Sequence, residues 1–124
     1  GVSRTASRTL TGAGTSYYFG REVAGAGDVN HDGYDDVIIG ADGYSTNTGR
    51  AYIYHGSSTG IASTASRTLT GGGTNYYFGY SVGLSGDGNT AIASSILGNL
   101  SNLNGTVGVY KYINNTYNDN IYIK

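Results

Sequence analysis

An internal repeat is the feature of this chain that most restricts its fold. Residues 5–20 (TASRTLTGAGTSYYFG) recur at residues 64–79 as TASRTLTGGGTNYYFG, 59 positions further along. The copies differ only at Ala13 and Ser16 of the first, which become Gly72 and Asn75 in the second. Self-similarity at a fixed period of this size indicates a repeat architecture, in which each unit is one supersecondary element that packs on its neighbours.

Each repeat contains short strand signals separated by clusters of Gly, Asn, Ser and Thr. The clearest is Arg50–Tyr54, where Ala51 and Ile53 alternate with Tyr52 and Tyr54. No stretch of the chain shows helical periodicity. We therefore predict strands at residues 8–11, 19–25, 36–40, 50–54, 67–70, 78–84, 90–94, 106–112 and 120–124.

Four short strands in a repeat of this size are typical of a β-propeller blade. The predicted fold class is all-β, with two four-stranded antiparallel blades and an extra N-terminal strand. The predicted units are the N-terminal strand at residues 1–11, a first blade at 12–70 and a second blade at 71–124. Repeat architectures need about three or more units to bury a continuous core, so two blades leave open faces.

An acidic loop, DVNHDGYDD at residues 28–36, carries the strongest chemical signal in the chain. Three oxygen-bearing side chains alternate along it, Gly33 then supplies a sharp turn, and an aspartate closes it. Calcium takes about six to eight oxygens from carboxylates, amides and backbone carbonyls. The spacing predicts a Ca2+ site whose ligands are Asp28, Asn30, Asp32, Asp36 and the backbone carbonyl of Tyr34.

A solvated acidic turn is the alternative for this loop, because Asp, Asn and Gly are ordinary turn formers. However, five of the eight acidic residues of the chain fall between positions 28 and 42, where they would repel each other without a cation. The β-branched run from Val37 to Ile39 follows, and the glutamate that closes an EF-hand loop is absent. The sequence thus favours a calcium loop between two strands.

The order of motifs in the first repeat carries a family resemblance. Phe19-Gly20 precedes the acidic loop, and Gly40-Ala41-Asp42 and the strand GRAYIY follow it. This order resembles the FG-GAP repeat of integrin α-subunit propellers and of many bacterial extracellular proteins. The resemblance implies propeller blades and the same calcium ligands as the spacing does. Asp42 departs from it, because the family usually has proline there.

The second repeat keeps Phe78-Gly79 but has a shorter loop with fewer acids, SGDGN at residues 85–89. It is similar to the metal-free variety of the FG-GAP repeat. We align Ala93, Ser94 and Ser95 with the Gly-Ala-Pro motif of the family.

Because two blades leave open faces, we expect other blades to pack against them. We expect a homo-oligomer or polymer, a ring or a filament, joined by blade packing and by strand addition from residues 1–11, or else further repeats of a longer chain. The predicted function is a calcium-stabilised extracellular structural or adhesive module. The alternative is a receptor module that binds a carbohydrate or protein ligand through its Tyr-rich loops.

The chain has thirteen tyrosines but only two phenylalanines. The tyrosines either serve as strand residues, with a packed ring and a solvent-exposed hydroxyl, or form a ligand-binding surface. Tyr17 and Tyr76 are the candidate ligand-binding residues because they repeat beside the Phe-Gly motif. Three N-x-[ST] triplets, at Asn99, Asn104 and Asn114, are candidate glycosylation sites if the source glycosylates secreted chains.

Composition argues against several functional classes. The net charge is −1 and no basic patch is present, so nucleic acid is not an expected partner. No apolar run is long enough to span a bilayer. Glu22, His31 and His55 have no evident nucleophile or acid partner by spacing, so we do not expect an enzyme. A calcium loop without a full carboxylate cage suits millimolar calcium, which predicts an extracellular or cell-surface location.

Overall fold

The structure is a computed structural model that describes residues 4–85, 90–97, 104–113 and 116–123. Its described strands form two four-stranded antiparallel sheets, in the orders β1-β2-β3-β4 and β5-β6-β7-β8. The strands are β1 (Val23–Gly27), β2 (Asp36–Ala41), β3 (Arg50–Tyr54), β4 (Arg67–Thr70), β5 (Val82–Leu84), β6 (Thr90–Leu97), β7 (Asn104–Ile113) and β8 (Thr116–Ile123). Two sheets of consecutive antiparallel strands confirm the predicted all-β class with blade-like units.

The first sheet separates its side chains by the alternation expected of β-strands. Ile38 pairs with Ile53, and Ala51 pairs with Leu69, and these side chains face the second sheet. Tyr52 and Tyr54 alternate with them and therefore lie on the opposite face of the sheet.

The core lies between the two sheets. β5 packs against β1 and β2, and the buried cluster joins both sheets. Phe78 stands at the entry to the second sheet and is 3% exposed. The members of this cluster are Val29, Ile38, Ala51, Ile53, Phe78, Val82, Ala91 and Ala93. Gly40 lies where the chain that leads into the second sheet crosses β2 closely, because a Cβ there would overlap the carbonyl oxygen of Gly79.

The two repeats enter their sheets by the same hydrogen bonds. The backbone N–H of Gly20 donates to the carbonyl of Gly40 at 3.1 Å, and that of Gly79 donates to the carbonyl of Ser94 at 2.9 Å. This pairing aligns Ser94 with Gly40 and Ser95 with Ala41. Our sequence alignment of Ala93 with that glycine was therefore wrong by one position.

Two predicted strands begin later than expected. The runs starting at Phe19 and Phe78 become strands only at Val23 and Val82. A turn occupies the intervening residues in each repeat, with φ of 87° at Gly20 and 86° at Gly79. Positive φ values are incompatible with an extended strand, so these glycines delay β1 and β5.

The extra N-terminal strand predicted at residues 8–11 is not formed in the described structure. Its identical counterpart, Arg67–Thr70, is β4 and pairs with β3. The same sequence therefore has two conformations, and the difference is the presence of a neighbouring strand, since an isolated strand leaves its backbone hydrogen bonds unmade.

The loop between β2 and β3 contains a short helical turn, α1 (Tyr44–Asn47). Ser45, Thr46 and Asn47 have φ values of 45°, 54° and 58°, so the turn is left-handed rather than a regular α-helix. In the described part of the chain, no helix is both long and apolar enough to span a membrane.

Candidate functional site

The acidic loop connects β1 to β2, and its first residue organises its backbone. Asp28 accepts hydrogen bonds from the backbone N–H groups of Asp32 at 3.0 Å and Gly33 at 2.7 Å. Gly33 has a φ of 92°, which allows the chain to turn sharply around the Asp28 carboxylate. The loop thus folds around the first of its predicted ligands.

The electrostatics of Asp28 favour its charged form. Desolvation by burial raises the pKa of its carboxyl, but backbone hydrogen bonds from Gly33, Asp32 and His31 outweigh this effect. The net result is a pKa below the ordinary value, because hydrogen bonds to a carboxylate stabilise its charge. Asp28 is therefore ready to act as an anionic ligand at neutral pH.

Asn30 and Asp32 are linked to each other inside the loop. The Asn30 side-chain amide donates from Nδ2 to Asp32 Oδ2 at 2.9 Å, and Asp32 Oδ1 accepts from the backbone N–H of Tyr34 at 3.0 Å. Asn30 Oδ1 is buried and has no hydrogen-bond partner among the described residues. A buried amide oxygen without a partner is costly unless something else binds it.

Asp36 differs from the other predicted ligands, because it is fully buried and joins the loop to the sheet. Its Oδ2 accepts from the backbone N–H of Val29 at 2.8 Å, and its Oδ1 accepts from that of Gly56 at 2.7 Å. A carboxylate has about four lone-pair sites, so these two bonds leave capacity for a cation.

The donor set of the loop fits calcium better than a transition metal. In the described residues, no three His, Cys, Asp or Glu side chains are grouped as a metal centre by themselves. The loop offers oxygen atoms from carboxylates, from the Asn30 amide and from the backbone, and a hard cation such as calcium prefers this mixture. The unpartnered Asn30 Oδ1 is the atom of the loop that most needs such a cation.

Sequence reasoning missed the contribution of the segment that follows β3. His55 accepts a hydrogen bond at Nδ1 from Asn30 Nδ2 at 3.2 Å, and the next residue, Gly56, binds Asp36. The signal for this contact is the strand register. Val37 pairs with Tyr54, so the residue after Tyr54 falls opposite the end of the acidic loop.

The tyrosine candidates are half-buried in the structure. The ring of Tyr17 packs edge-on against that of Tyr44, with centroids 4.9 Å apart, and Arg50 lies 3.6 Å from the centroid of Tyr44. Tyr76 accepts a hydrogen bond at its carbonyl from Ser95. The neighbour of Tyr17, Tyr18, is 53% exposed, but both residues lie outside the strands and Tyr18 has a φ of 55°, so strand alternation does not explain the difference.

A second polar cluster occupies the position where the family usually has proline. Asp42 is fully buried and forms an ion pair with Arg21 at 2.7 Å. The guanidinium of Arg21 also lies 5.2 Å from the ring centroid of Tyr18 and 5.4 Å from that of Tyr80. Arg21 therefore connects the buried charge of the first repeat to an aromatic residue of the second.

The glycosylation candidates are placed only in part. Asn99 and Asn114 lie outside the described residues. Asn104 is the first residue of β7 and pairs with Leu97 of β6.

Comparison with known proteins agrees with the architecture. The family model of the FG-GAP repeat matches residues 19–54, which include Phe19-Gly20, the acidic loop and β1 to β3. The chain is 47% identical to integrin alpha-6 of Gallus gallus over 68 residues, which are 52% of the chain and 6% of that protein.

Two further relatives give the same result. Integrin alpha-6 of Homo sapiens is 42% identical over 64 residues, covering 52% of the chain and 5% of that protein. Integrin alpha-7 of Rattus norvegicus is 43% identical over 76 residues, covering 57% and 6%. The chain thus spans about one-twentieth of the length of these relatives. Residues 19–54 thus match the FG-GAP repeat, and the chain is similar in its matched part to integrin α-subunits.

Proposed function

We propose that this chain is a calcium-stabilised pair of propeller blades from an extracellular structural or adhesive protein. The observation that carries the proposal is the loop between β1 and β2, in which a buried, unpartnered Asn30 Oδ1 lies among aspartates held by backbone hydrogen bonds. The similarity to integrin α-subunits supports an extracellular role. Binding rather than catalysis is the activity we infer.

The calcium ligands we propose are Asp28, Asn30, Asp32, Asp36 and the carbonyl of Tyr34. Calcium would supply positive charge that offsets the repulsion among these groups. Hydrogen bonds within the chain hold the loop in place. Asp28 closes the turn, and Asp36 connects the loop to Val29 and Gly56, so that order in the loop is transmitted to the buried sheet. An ion that binds only the folded state adds about 2.7 kcal/mol of stability at a hundred times its dissociation constant.

Packing by further blades is supported by the different surroundings of two equivalent phenylalanines. Phe78 is buried between the two sheets, whereas Phe19 is half-buried against Tyr52 and Tyr54 on the outer face of the first sheet. We infer that another blade packs on this outer face, as the second sheet packs on the inner one. Val23, on the same face, is 59% exposed.

Strand addition is supported by the pairing of β4. Residues 67–70 complete the first sheet, and residues 8–11, with the same sequence, belong to no sheet in the described structure. We infer that residues 8–11 form the fourth strand of a preceding blade, where they pair with its third strand. That blade belongs either to further repeats of the same polypeptide or to another copy in a ring or filament.

The solution mass of the intact chain, measured by light scattering, tests both parts of this proposal. We expect an assembled species in millimolar calcium that dissociates or unfolds after chelation. Deletion of residues 1–11 should remove assembly but keep calcium binding, since the described part of this segment, residues 4–11, belongs to no sheet. Assembly that is unchanged by the deletion would contradict strand addition, whereas a monomer indifferent to chelation would contradict the calcium role.

A receptor for a carbohydrate or protein ligand is the second candidate function. The observation that favours it is the exposed stack of Tyr18, Arg21 and Tyr80, in which Tyr80 is 41% exposed. Exposed aromatic and arginine side chains are common anchors at binding surfaces. Binding to a glycan or protein array that is lost in Tyr18→Ala would support a receptor. Tyr17→Ala and Tyr76→Ala, at the residues chosen from the sequence, are the matched comparisons.

A further inference from the structure

The structure holds a histidine whose side chain has one hydrogen bond within the described residues, and that bond is to a proposed calcium ligand. His55 Nδ1 accepts from Asn30 Nδ2 at 3.2 Å, and His55 Nε2 is buried without a partner among the described residues. The two residues are 25 positions apart, on the acidic loop and directly after β3. We propose that His55 is a positioning residue, which directs the amide oxygen of Asn30 towards the calcium ion. This inference rests on the proposed function.

The orientation of the Asn30 amide decides whether it is a ligand. Its nitrogen donates both to Asp32 Oδ2 at 2.9 Å and to His55 Nδ1 at 3.2 Å, which uses both N–H bonds of Nδ2. Oδ1 is then the atom of the amide left for another partner, and it is buried without one among the described residues. Reversing the amide would place Oδ1 against the Asp32 carboxylate, where two acceptors repel each other.

Of the two acceptors that orient the Asn30 amide, His55 is the one that stays available when calcium binds. Asp32 is itself a proposed ligand, so its oxygens are drawn to the cation as well as to Asn30. His55 is not a proposed ligand, and its backbone is fixed independently, because its carbonyl accepts from the N–H of Ala62 at 2.9 Å. The imidazole therefore offers Asn30 an acceptor that does not compete with ion binding.

Substitution of His55 tests this role without changing any ligand. His55→Ala removes the acceptor but leaves the backbone bonds at Ala62 and Gly56. We expect the calcium dissociation constant, measured by titration calorimetry, to rise by about 10-fold, the lower end of the range for residues that orient metal ligands. His55→Asn keeps an oxygen acceptor near the position of Nδ1, so it should recover most of the affinity.

Two controls separate positioning from general destabilisation. The unfolding midpoint in EDTA reports the calcium-free fold, and the loss of calcium affinity should exceed any change in this midpoint. Asn30→Ser keeps an oxygen ligand but is too short to reach His55, so His55→Ala should cause no further loss in that background. These two controls still test the positioning role if His55→Ala lowers the unfolding midpoint in EDTA.

The outcomes distinguish this inference from the proposed function. If the wild-type chain does not bind calcium, the proposed function fails and the role of His55 fails with it. If the wild-type chain binds calcium but His55→Ala binds equally well, only the positioning role is overturned. It is also overturned if His55→Asn is as weak as His55→Ala, or if His55→Ala costs the same in the Asn30→Ser background.

Discussion

The buried carboxylate of Asp36 accepts a hydrogen bond at 2.7 Å from the backbone N–H of Gly56, which lies 20 residues away. The second carboxylate oxygen accepts from the N–H of Val29 at 2.8 Å. The last acid of the loop therefore has a structural role that does not require an ion. It joins the connection between β1 and β2 to the end of β3.

Replacement of Asp36 should destabilise the chain even without calcium. Asp36→Ala leaves the N–H groups of Val29 and Gly56 buried and without an acceptor, and we expect a loss of about 3 kcal/mol in the free energy of unfolding. The measurement is urea denaturation in EDTA. Asp35→Ala, at the exposed neighbouring acid, is the matched control and should change the stability little. Equal midpoints for the two variants would refute the structural role.

Phe78 and Phe19 provide a matched pair, because they occupy equivalent positions in the two repeats. Phe78→Ala opens a cavity between the sheets and should cost about 3–5 kcal/mol. Phe19→Ala should cost less in the dissociated chain, because this ring is only half-buried. Denaturant unfolding of both variants at low protein concentration compares them directly. A larger loss for Phe19→Ala would show that the outer face is already a closed core.

Arg21 should stabilise the folded chain because its guanidinium neutralises the buried carboxylate of Asp42. Arg21→Ala leaves a fully buried carboxylate without its ion-pair partner and should lower the thermal midpoint. Adding Asp42→Asn should restore part of the loss, since an amide needs no counter-charge. Glu22→Ala serves as the neighbouring control. If the double variant is less stable than Arg21→Ala, the lost stability comes from side-chain packing rather than from the unpaired charge.

The ionisation of Tyr54 should lower the stability of the fold at alkaline pH. Burial, and to a smaller extent the neighbouring Tyr52, raises the pKa of Tyr54 above its ordinary value of 10.0. The unfolded chain therefore loses this proton at a lower pH than the folded chain does. The corresponding stability is complete below about pH 10 and is lost as the pH rises towards the folded pKa.

Tyr54→Phe should reduce this alkaline loss. Urea midpoints at about pH 8 and about pH 11 measure it, and Tyr34→Phe, at a tyrosine that is 43% exposed, is the control. The same decrease with pH in wild type and Tyr54→Phe would exclude Tyr54 as the responsible group.

The strands β2, β3 and β4 were the most predictable part of the fold. Each begins at the residue where its sequence pattern was predicted to begin, and burial of β2 and β3 between neighbouring strands fixes their register. Residues 8–11 and 67–70 show the limit of such reasoning. They have the same sequence, and only the second has an adjacent strand, which local propensity cannot reveal.

The candidate site was predictable as far as it is local. The spacing of the acids predicted a short calcium loop with a sharp turn at Gly33. The loop does turn there, with hydrogen bonds to Asp28, while its calcium ion stays a prediction. His55 and Gly56 could not be assigned in the same way. They reach the loop through the pairing of β2 with β3, so their role depends on strand register rather than on sequence spacing.

The free energy of unfolding of the intact chain as a function of calcium concentration tests the central claim most directly. The account predicts a stability that rises with the logarithm of calcium concentration up to about 10 mM, about tenfold above the weakest extracellular sites, and that does not rise in Asp32→Ala. Equal unfolding curves in EDTA and in about 10 mM calcium would contradict it.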